Sequence, residues 1–236
     1  VLFNKDQTQI QEYPYGKKGA YTLPNTVTEI YEENFYDYPN LTAITIGDGV
    51  LRIDKNAFSQ CRNLTKVTFG SSVEVIGQYA FQGCSALDTV LFSPSVTTID
   101  DGAFTECTAL NSLTFPENLT TIKMMAFSAC TGLTSITLGS KVTKIESGAF
   151  LGCSNLSSIT CYATTPPDAK DAFISLFDMG VDKSTCVLYV PMSALPAYRS
   201  ATEWQDFEHI VGFREPPTEV ISTEPKAIAG LTFSGA

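Results

Sequence analysis

Cysteine is the residue type in this sequence that could carry the widest range of chemistry, because a thiolate can bind a metal ion, form a disulfide or act as a nucleophile. The closely spaced C-x-x-C pairs that zinc sites use do not occur. Five of the seven cysteines instead recur every 23 residues, namely Cys61, Cys84, Cys107, Cys130 and Cys153. If each interval is one turn of a stacked structure, neighbouring Cβ atoms stay ~4.8 Å apart, beyond the ~3.8 Å of a disulfide. We therefore predict free thiols, packed as small buried side chains with weak S–H donors.

The other two cysteines and the single histidine complete the set of chemically versatile residues. Cys161 and Cys186 lie outside the regular series, and the sequence leaves open whether they are bridged. His209 is the one imidazole in the sequence, which removes most Ser-His and Cys-His nucleophile schemes. We predict a structural or surface role for it. The sequence thus predicts no enzyme activity, no metal site and no cofactor.

Composition and charge narrow the class of protein. The sequence has 15 Lys and Arg residues and 25 Asp and Glu residues, which gives a net charge of −10. Nucleic-acid binding depends on basic residues that neutralise phosphates, so we expect no nucleic-acid partner. Apolar residues make up 44% of the chain, which fits a packed core. No run approaches the ~18 apolar residues of a membrane-spanning helix, so we expect no membrane insertion by this fragment.

The elements that position the cysteines repeat with the same period. The unit begins on a leucine at Leu41, Leu64, Leu87, Leu110, Leu133 and Leu156. An aliphatic residue follows three positions later, and two positions after that comes Phe in three of the six units. A V-x-x-I segment and an Ala-Phe dipeptide then precede the cysteine, which gives the pattern L-T-x-I-T-F-x-x-x-V-x-x-I-x-x-x-A-F-x-x-C-x-x. A constant period in this range is typical of a solenoid.

Each part of the unit predicts its own local structure. The apolar positions of L-x-x-I-x-F alternate around the Ile, which is typical of a half-buried strand. The segment around A-F-x-x-C is too short for a free-standing helix and predicts one helical or 3₁₀ turn. One unit cannot bury its own apolar residues, whereas stacked units bury a continuous core. We therefore predict a mostly β solenoid with a parallel strand ladder, an N-terminal hairpin and a C-terminal cap.

The repeat resembles the 23-residue leucine-rich repeat of BspA-like, or treponemal-type, bacterial surface proteins over roughly residues 20–165. Residues 1–24 are similar to a hairpin that often precedes such repeats. Residues 161–213 are similar to their usual ending, with Pro166-Pro167 and Leu188-Tyr189-Val190-Pro191. The resemblance implies a leucine-rich-repeat fold, a secreted or surface-anchored protein with adhesive or protein-binding roles, and no catalytic residues. It places this fragment outside the cell or on its surface.

The flanks of the array predict its domain boundaries. We expect one leucine-rich-repeat domain over 1–213, with an N-terminal hairpin at 1–24, repeats at 25–165 and a cap at 166–213. In the cap, Ala172-Phe173 falls on the repeat register, and Ser193 is positioned to cap a short helix. Residues 214–236 are predicted to form a linker and the start of a further module. The sequence begins at Val1 and not at an initiator Met, and no signal-peptide pattern follows. We therefore expect the chain to be a piece of a longer precursor.

Two surfaces are candidates for binding. Outward positions of the predicted long strand form a column of Thr45, Thr68, Leu91, Thr114, Thr137 and Thr160. A neighbouring outward column holds Thr42, Thr65, Asp88, Asn111, Thr134 and Ser157. Threonine also suits any exposed strand, so a purely structural role competes with binding. The alternative patch is Tyr31 and Tyr36, which fall on outward positions near the N-terminus; they either anchor a partner or pack on the hairpin.

These observations leave two functional hypotheses. The first is a non-catalytic module that binds a protein or a glycan, of unknown identity, through the solenoid surface. The second is a passive spacer or scaffold that presents a neighbouring domain. A ligand screen separates them.

Overall fold

The structure is a computed structural model, and it describes residues 1–169, 175–177 and 180–214. Over these residues the chain forms a parallel β-solenoid of about eight turns with very little helix. It opens with an antiparallel hairpin of β1 (Leu2–Phe3) and β2 (Ile10–Glu12). This pairing matches the hairpin predicted from the sequence.

The first six units then contribute one long and one short strand each, and three more long strands follow. The long strands are β3 (Gly19–Thr22), β5 (Leu41–Thr45), β7 (Lys66–Thr68), β9 (Thr89–Leu91), β11 (Ser112–Thr114), β13 (Ser135–Leu138), β15 (Ser158–Cys161), β16 (Val187–Pro191) and β17 (His209–Phe213). The short strands are β4 (Glu29–Ile30), β6 (Arg52–Ile53), β8 (Val75–Ile76), β10 (Thr98–Ile99), β12 (Thr121–Ile122) and β14 (Lys144–Ile145). Strand β3 pairs with β5, so stacked strands begin inside the range predicted for the hairpin.

The strands form two long sides of the solenoid. The short strands make one continuous sheet in the order β4-β6-β8-β10-β12-β14. The long strands form two separate sheets, β3-β5-β7-β9 and β11-β13-β15-β16-β17. Within each sheet of the repeats, residues 23 apart are partners, as in the pairs of Val67 with Val90 and Ile136 with Ile159. The period of the sequence therefore sets the strand register directly.

The third side of each repeat is the A-F-x-x-C turn. Its i→i−3 bonds, such as Ala80 N–H to the Gly77 carbonyl and Cys84 N–H to the Phe81 carbonyl, are of the 3₁₀ type. Tyr79 and Gly83 have positive φ values, 54° and 69°, which prevent these bonds from joining into a helix. The predicted helical turn therefore takes the form of separate tight turns.

A row of stacked phenylalanine rings forms the centre of the core. Ring centroids are 5.1 Å apart between Phe81 and Phe104, and 5.2 Å between Phe104 and Phe127. The row ends on Phe177, 5.9 Å from Phe150, and the Phe150 N–H donates to the Leu176 carbonyl. Leu176-Phe177 therefore occupies the place expected for Ala172-Phe173, which lies outside the described residues.

The N-terminal end of the core is covered by tyrosines. Tyr13 is buried, with its ring centroid 5.0 Å from those of Tyr21 and Phe35. The Tyr38 hydroxyl donates to the Tyr13 carbonyl, and the Lys17 ammonium lies 4.3 Å from the Tyr21 ring centroid. These contacts place the half-buried Tyr21 and Tyr38 against the core.

At the C-terminal end, a short helical segment and the buried Trp204 cover the last repeats. A 3₁₀ segment (Met192–Ala194) leads into α1 (Leu195–Tyr198), and the buried Trp204 donates through Nε1 to the Pro167 carbonyl at 3.0 Å. The prediction that Ser193 caps this helix is wrong. Ser193 lies within the 3₁₀ segment, and the N-cap position is held by Ala194, without a side-chain bond. The 3₁₀ turn starts directly after Pro191 and so precedes the expected cap.

Candidate binding face

The outward column predicted from the sequence lies on the long-strand side. Thr45, Thr68 and Leu91 are direct strand partners, and so are Thr114, Thr137 and Thr160. Thr45, Leu91 and Thr114 are exposed, and the other three are half-buried. Leu91 exposes 50% of its surface, whereas the inward residues of these strands, such as Val67, are buried. Leu91 is thus an apolar side chain placed in solvent at the middle of the face.

The same column continues beyond the predicted residues. Thr22 pairs with Thr45 at one end, and Tyr189 and Val211 follow Thr160 at the other. Tyr189 and Val211 are both exposed. Sequence reasoning missed them because the 23-residue pattern breaks after Cys161. In the structure Tyr189 is exposed between the buried Leu188 and Val190, and no apolar–polar alternation in these residues marks it as outward.

The neighbouring column is tied to the backbone. The hydroxyls of Thr65, Thr134 and Ser157 each donate to the carbonyl 23 residues earlier, at 3.0, 3.0 and 3.1 Å. Their N–H groups donate to the same carbonyls at 2.7–2.9 Å. These side chains therefore strengthen the stacking, and fewer hydroxyls remain to bind a ligand than the sequence predicts.

The bonding of this column is interrupted at Asp88 and Asn111. An ionised carboxylate cannot donate to a carbonyl, and the Asp88 carboxylate accepts a bond from the Thr89 hydroxyl at 2.6 Å instead. Within residues 1–169, the bond from the Asn111 N–H to the Asp88 carbonyl is absent, as is the bond from the Phe92 N–H to the Thr114 carbonyl. We call the resulting space between β9 and β11 the strand gap.

The strand gap is a shallow cleft of about 640 Å³. Its walls include Val90, Leu91 and Phe92 on one side and Ser112, Thr114 and Phe115 on the other. Val90 is half-buried here, whereas the equivalent residues Val67 and Leu113 are buried. The floor stays closed, because the rings of Phe92 and Phe115 have centroids 5.6 Å apart.

The rim of the strand gap is acidic. Asp88 and Glu117 line it, and no Lys or Arg does. Across the part of the chain that the structure describes, neither carboxylate belongs to an ion pair. Glu117 accepts bonds from the Ser140 N–H and hydroxyl. The cleft therefore offers an apolar wall beside two carboxylates that form no ion pair, while the Lys141 ammonium donates to the rim residue Asn118 at 2.7 Å.

The alternative tyrosine patch is partly exposed. Tyr36 exposes 45% of its surface and Tyr31 is half-buried. Hydrogen bonding to the Glu29 carboxylate is the main cause that raises the pKa of Tyr31. Tyr15, which the sequence did not single out, is also exposed and packs on Tyr38 with ring centroids 5.4 Å apart.

The cysteines face the interior and carry no bridge. All seven are free and buried, which resolves the question left open for Cys161 and Cys186. In the regular series, each Sγ donates to the carbonyl of a phenylalanine 26 residues earlier, as from Cys107 to Phe81 at 3.2 Å. Burial raises the pKa of Cys61 and Cys153 to about 12 and that of Cys107 well above its usual value. The thiols therefore act as buried hydrogen-bond donors.

Other chemistry is sparse in the described ranges. No group of three or more His, Cys, Asp or Glu side chains there is arranged to hold a metal ion. His209 is exposed on β17, in register with Val187. No helix in these ranges has the length and hydropathy needed to cross a membrane.

Residues 8–130 and 87–175 match the family model described as the BspA type leucine-rich repeat region, with six copies. The chain belongs to this family. The resemblance drawn from the repeat pattern is thereby confirmed. Leucine-rich repeat proteins of bacteria are generally non-catalytic and serve as binding or scaffold modules.

Solved structures share the BspA-type solenoid. A leucine-rich repeat protein of T. pallidum is 27% identical with a TM-score of 0.62, over 66% of this chain and 76% of that one. A leucine-rich cell surface protein of Faecalibacterium prausnitzii A2-165 is 25% identical with a TM-score of 0.50, over 82% and 69%. A leucine-rich repeat protein of Eubacterium ventriosum ATCC 27560 is 30% identical with a TM-score of 0.51, over 64% and 47%. The comparison with curated proteins finds no match.

Within the BspA-type array of this chain, one junction between repeats differs from its neighbours. The long strands pair on both sides of it, from β5 to β9 and from β11 to β15, but not across it. The short strands β10 and β12 do pair there. The strand gap is therefore a local feature of one face.

Proposed function

We propose that this chain is a non-catalytic binding module of a secreted or surface-anchored bacterial protein. It holds proteins or glycans on the long-strand face, in adhesion or host interaction. The observation that carries the proposal is the placement of Thr45, Leu91 and Thr114, which are exposed at the same position of their long strands and have no part in the core. Such a row is available to a ligand without cost to the fold.

Two further observations support it. Leu91 is an exposed apolar residue at the centre of the face, and desolvated apolar centres dominate many protein contacts. The similar F. prausnitzii protein is described as a cell surface protein.

The test is a screen on protein and glycan arrays, followed by variants of each candidate surface. Replacing Thr68, Leu91 and Thr114 together with Glu should remove binding, while thermal unfolding stays almost unchanged because outward residues contribute little packing. The matched variant replaces Tyr31 and Tyr36 with Ser. Loss of binding only in the tyrosine variant would move the site to the N-terminal patch. If neither variant affects any confirmed ligand, the spacer hypothesis replaces this one.

A further inference from the structure

We propose that the segment Leu231-Thr232-Phe233 forms one further long strand, which pairs in parallel with the free edge of β17 and covers the C-terminal end of the core. The segment belongs to residues 215–236, which follow directly on the described residue Arg214. The inference concerns a docking surface at the end of the solenoid, and it does not depend on the proposed ligand binding.

Strand β17 presents unpaired backbone groups along one edge. It is the last strand of its sheet among the described residues. The Val187 N–H donates to the Ser157 carbonyl, so Val187 bonds back to β15. His209 is the register partner of Val187 and bonds back to β16 in the same way. Because alternate residues of a parallel ladder bond to opposite neighbours, the N–H and C=O of Ile210 and Gly212 face the free edge.

The apolar core is incompletely covered beside this edge. Ile210 is half-buried, whereas Leu188 and Ile159, at the same position of β16 and β15, are buried. Met192 exposes 51% of its surface, and its Sδ would lie 2.8 Å from a Cβ atom on Gly212. A solenoid needs its apolar ends covered. One more strand with two inward apolar side chains would cover both Ile210 and Met192.

Residues 215–236 contain the sequence pattern of a long strand. Leu231-Thr232-Phe233 is identical to Leu113-Thr114-Phe115, and Val67-Thr68-Phe69 has the same pattern. In both described examples, the first and third residues are buried in the core. Aliphatic-Thr-Phe occurs once in residues 215–236. The pattern therefore predicts that Leu231 and Phe233 point inward and that Thr232 points outward.

The spacing of the segment fits one more turn of the solenoid. Leu231 follows Ile210 by 21 residues, and Ile210 follows its partner Leu188 by 22. A connection between parallel strands needs about a dozen residues or more, and residues 214–230 satisfy this. The strand takes the end of 214–236, a range for which the sequence alone predicts a linker and the start of a further module.

This register predicts three backbone hydrogen bonds across the new pair. The Ile210 N–H donates to the Gly230 carbonyl, the Thr232 N–H donates to the Ile210 carbonyl, and the Gly212 N–H donates to the Thr232 carbonyl. Val211 then has Thr232 as its outward neighbour, and Phe233 lies beside Gly212.

The segment of the same chain is favoured over an edge from a second copy. A partner joined by a flexible connection acts at an effective concentration of about millimolar. Residues 227–236 carry no charged side chain, so their burial beside Ile210 leaves no charge unpaired.

The test is amide hydrogen exchange in the full chain, followed by NMR. The N–H groups of Ile210 and Gly212 should exchange at least about tenfold more slowly in the unaltered protein than in a variant with Leu231→Asp and Phe233→Asp, because aspartates resist burial. The Ile136 N–H, in the middle of the same sheet, should stay protected in both proteins and so reports that the array is folded.

Two control variants are matched to this one. Leu231→Ile with Phe233→Leu reproduces Ile136-Thr137-Leu138 of β13 and should keep the slow exchange. Val220→Asp with Ile221→Asp adds the same charge elsewhere in residues 215–236 and should keep it as well. Nuclear Overhauser contacts between the backbones of β17 and residues 231–233 test the pairing in the unaltered protein, without any substitution.

Four results overturn the inference. The first is absence of those Overhauser contacts, and the second is equal exchange at Gly212 in the unaltered protein and in the variant with aspartates at 231 and 233. The third is slow exchange that only the aspartates at 220 and 221 abolish, which assigns the edge to a different segment. The fourth is slow exchange that disappears on dilution together with a dimer mass in light scattering, which assigns the edge to a second copy.

Discussion

The rings of Phe81 and Phe104 stack with their planes inclined by only 8°. Both are fully buried, and each also contacts the next ring along the row, Phe58 on one side and Phe127 on the other. A residue in the middle of this row therefore joins the repeats before and after it.

We expect Phe104→Ala to lower the free energy of unfolding by ~3–5 kcal/mol, as for buried aromatic residues in general. Since stability in stacked repeats is a sum of neighbour terms, the loss can split the array into two unfolding units. Urea unfolding followed by circular dichroism measures both effects. Tyr36→Ala, at an exposed position, is the control. A Phe104→Ala protein that unfolds like the unaltered one would contradict the assignment of the row.

A second prediction concerns the thiols and pH. Burial raises the pKa of Cys61 to about 12 and that of Cys107 well above the usual 9.0. The folded state then holds these protons more tightly than the unfolded state, so the stabilisation is complete below pH 9 and is lost as the pH rises towards 12. Urea midpoints should fall over that range, and by less in Cys107→Ala.

The same burial predicts slow labelling of the thiols. A maleimide at neutral pH should react slowly with the native protein, and with seven groups after denaturation without reductant. Rapid native labelling would show that the cysteines are accessible. Fewer than seven groups after denaturation would reveal a disulfide.

A third prediction concerns the close approach of repeats at Gly70. A Cβ atom there would lie 2.4 Å from the Gly47 carbonyl oxygen, so Gly70→Ala must displace backbone. We expect a loss of ~1–3 kcal/mol in unfolding free energy, typical of overpacking. Gly16→Ala is the matched control, because a Cβ at Gly16 meets open space. Equal stability of the two variants would mean that the repeats are less tightly stacked.

A fourth prediction concerns the C-terminal cap. The buried Tyr198 hydroxyl donates to the Ala163 carbonyl at 2.9 Å and lies 3.1 Å from the Cys161 Sγ. Tyr198→Phe leaves that carbonyl unpaired and should cost ~1–3 kcal/mol. Tyr189→Phe, at an exposed position, should cost almost nothing. Thermal unfolding distinguishes the two variants. Similar melting temperatures would show that the Tyr198 hydroxyl does not stabilise the cap.

Much of the fold follows from the period of the sequence, because a constant 23-residue interval fixes which residues are strand partners. Val67 and Val90 were predicted to be equivalent, and they pair. The register in the cap could not be predicted, since Phe177 takes the last place in the aromatic row after the pattern has broken.

The candidate site was predictable only in part. Leu91 stood out by residue type, since it is the one apolar member of a threonine column. The strand gap beside it depends on whether Asp88 and Asn111 complete hydrogen bonds across one junction. Asp88 and Asn111 come directly before β9 and β11, and Asp and Asn are common at strand ends, so their side-chain chemistry alone does not reveal the missing bonds. Only the positions of the backbone atoms reveal that these hydrogen bonds are missing.

The strand gap also has a mechanical consequence. At the junctions from β3 to β9 and from β11 to β13, pairing of long strands, pairing of short strands and bonds between tight turns all resist separation of the repeats. At the gap, only the pairing of β10 with β12 and turn bonds such as Phe104 N–H to the Ala126 carbonyl remain. A pull on the two ends of the solenoid is therefore resisted on two sides here and on three at the junctions from β3 to β9 and from β11 to β13. Among the repeats that carry both strands, this junction should open first under tension, and it should open towards the long-strand face.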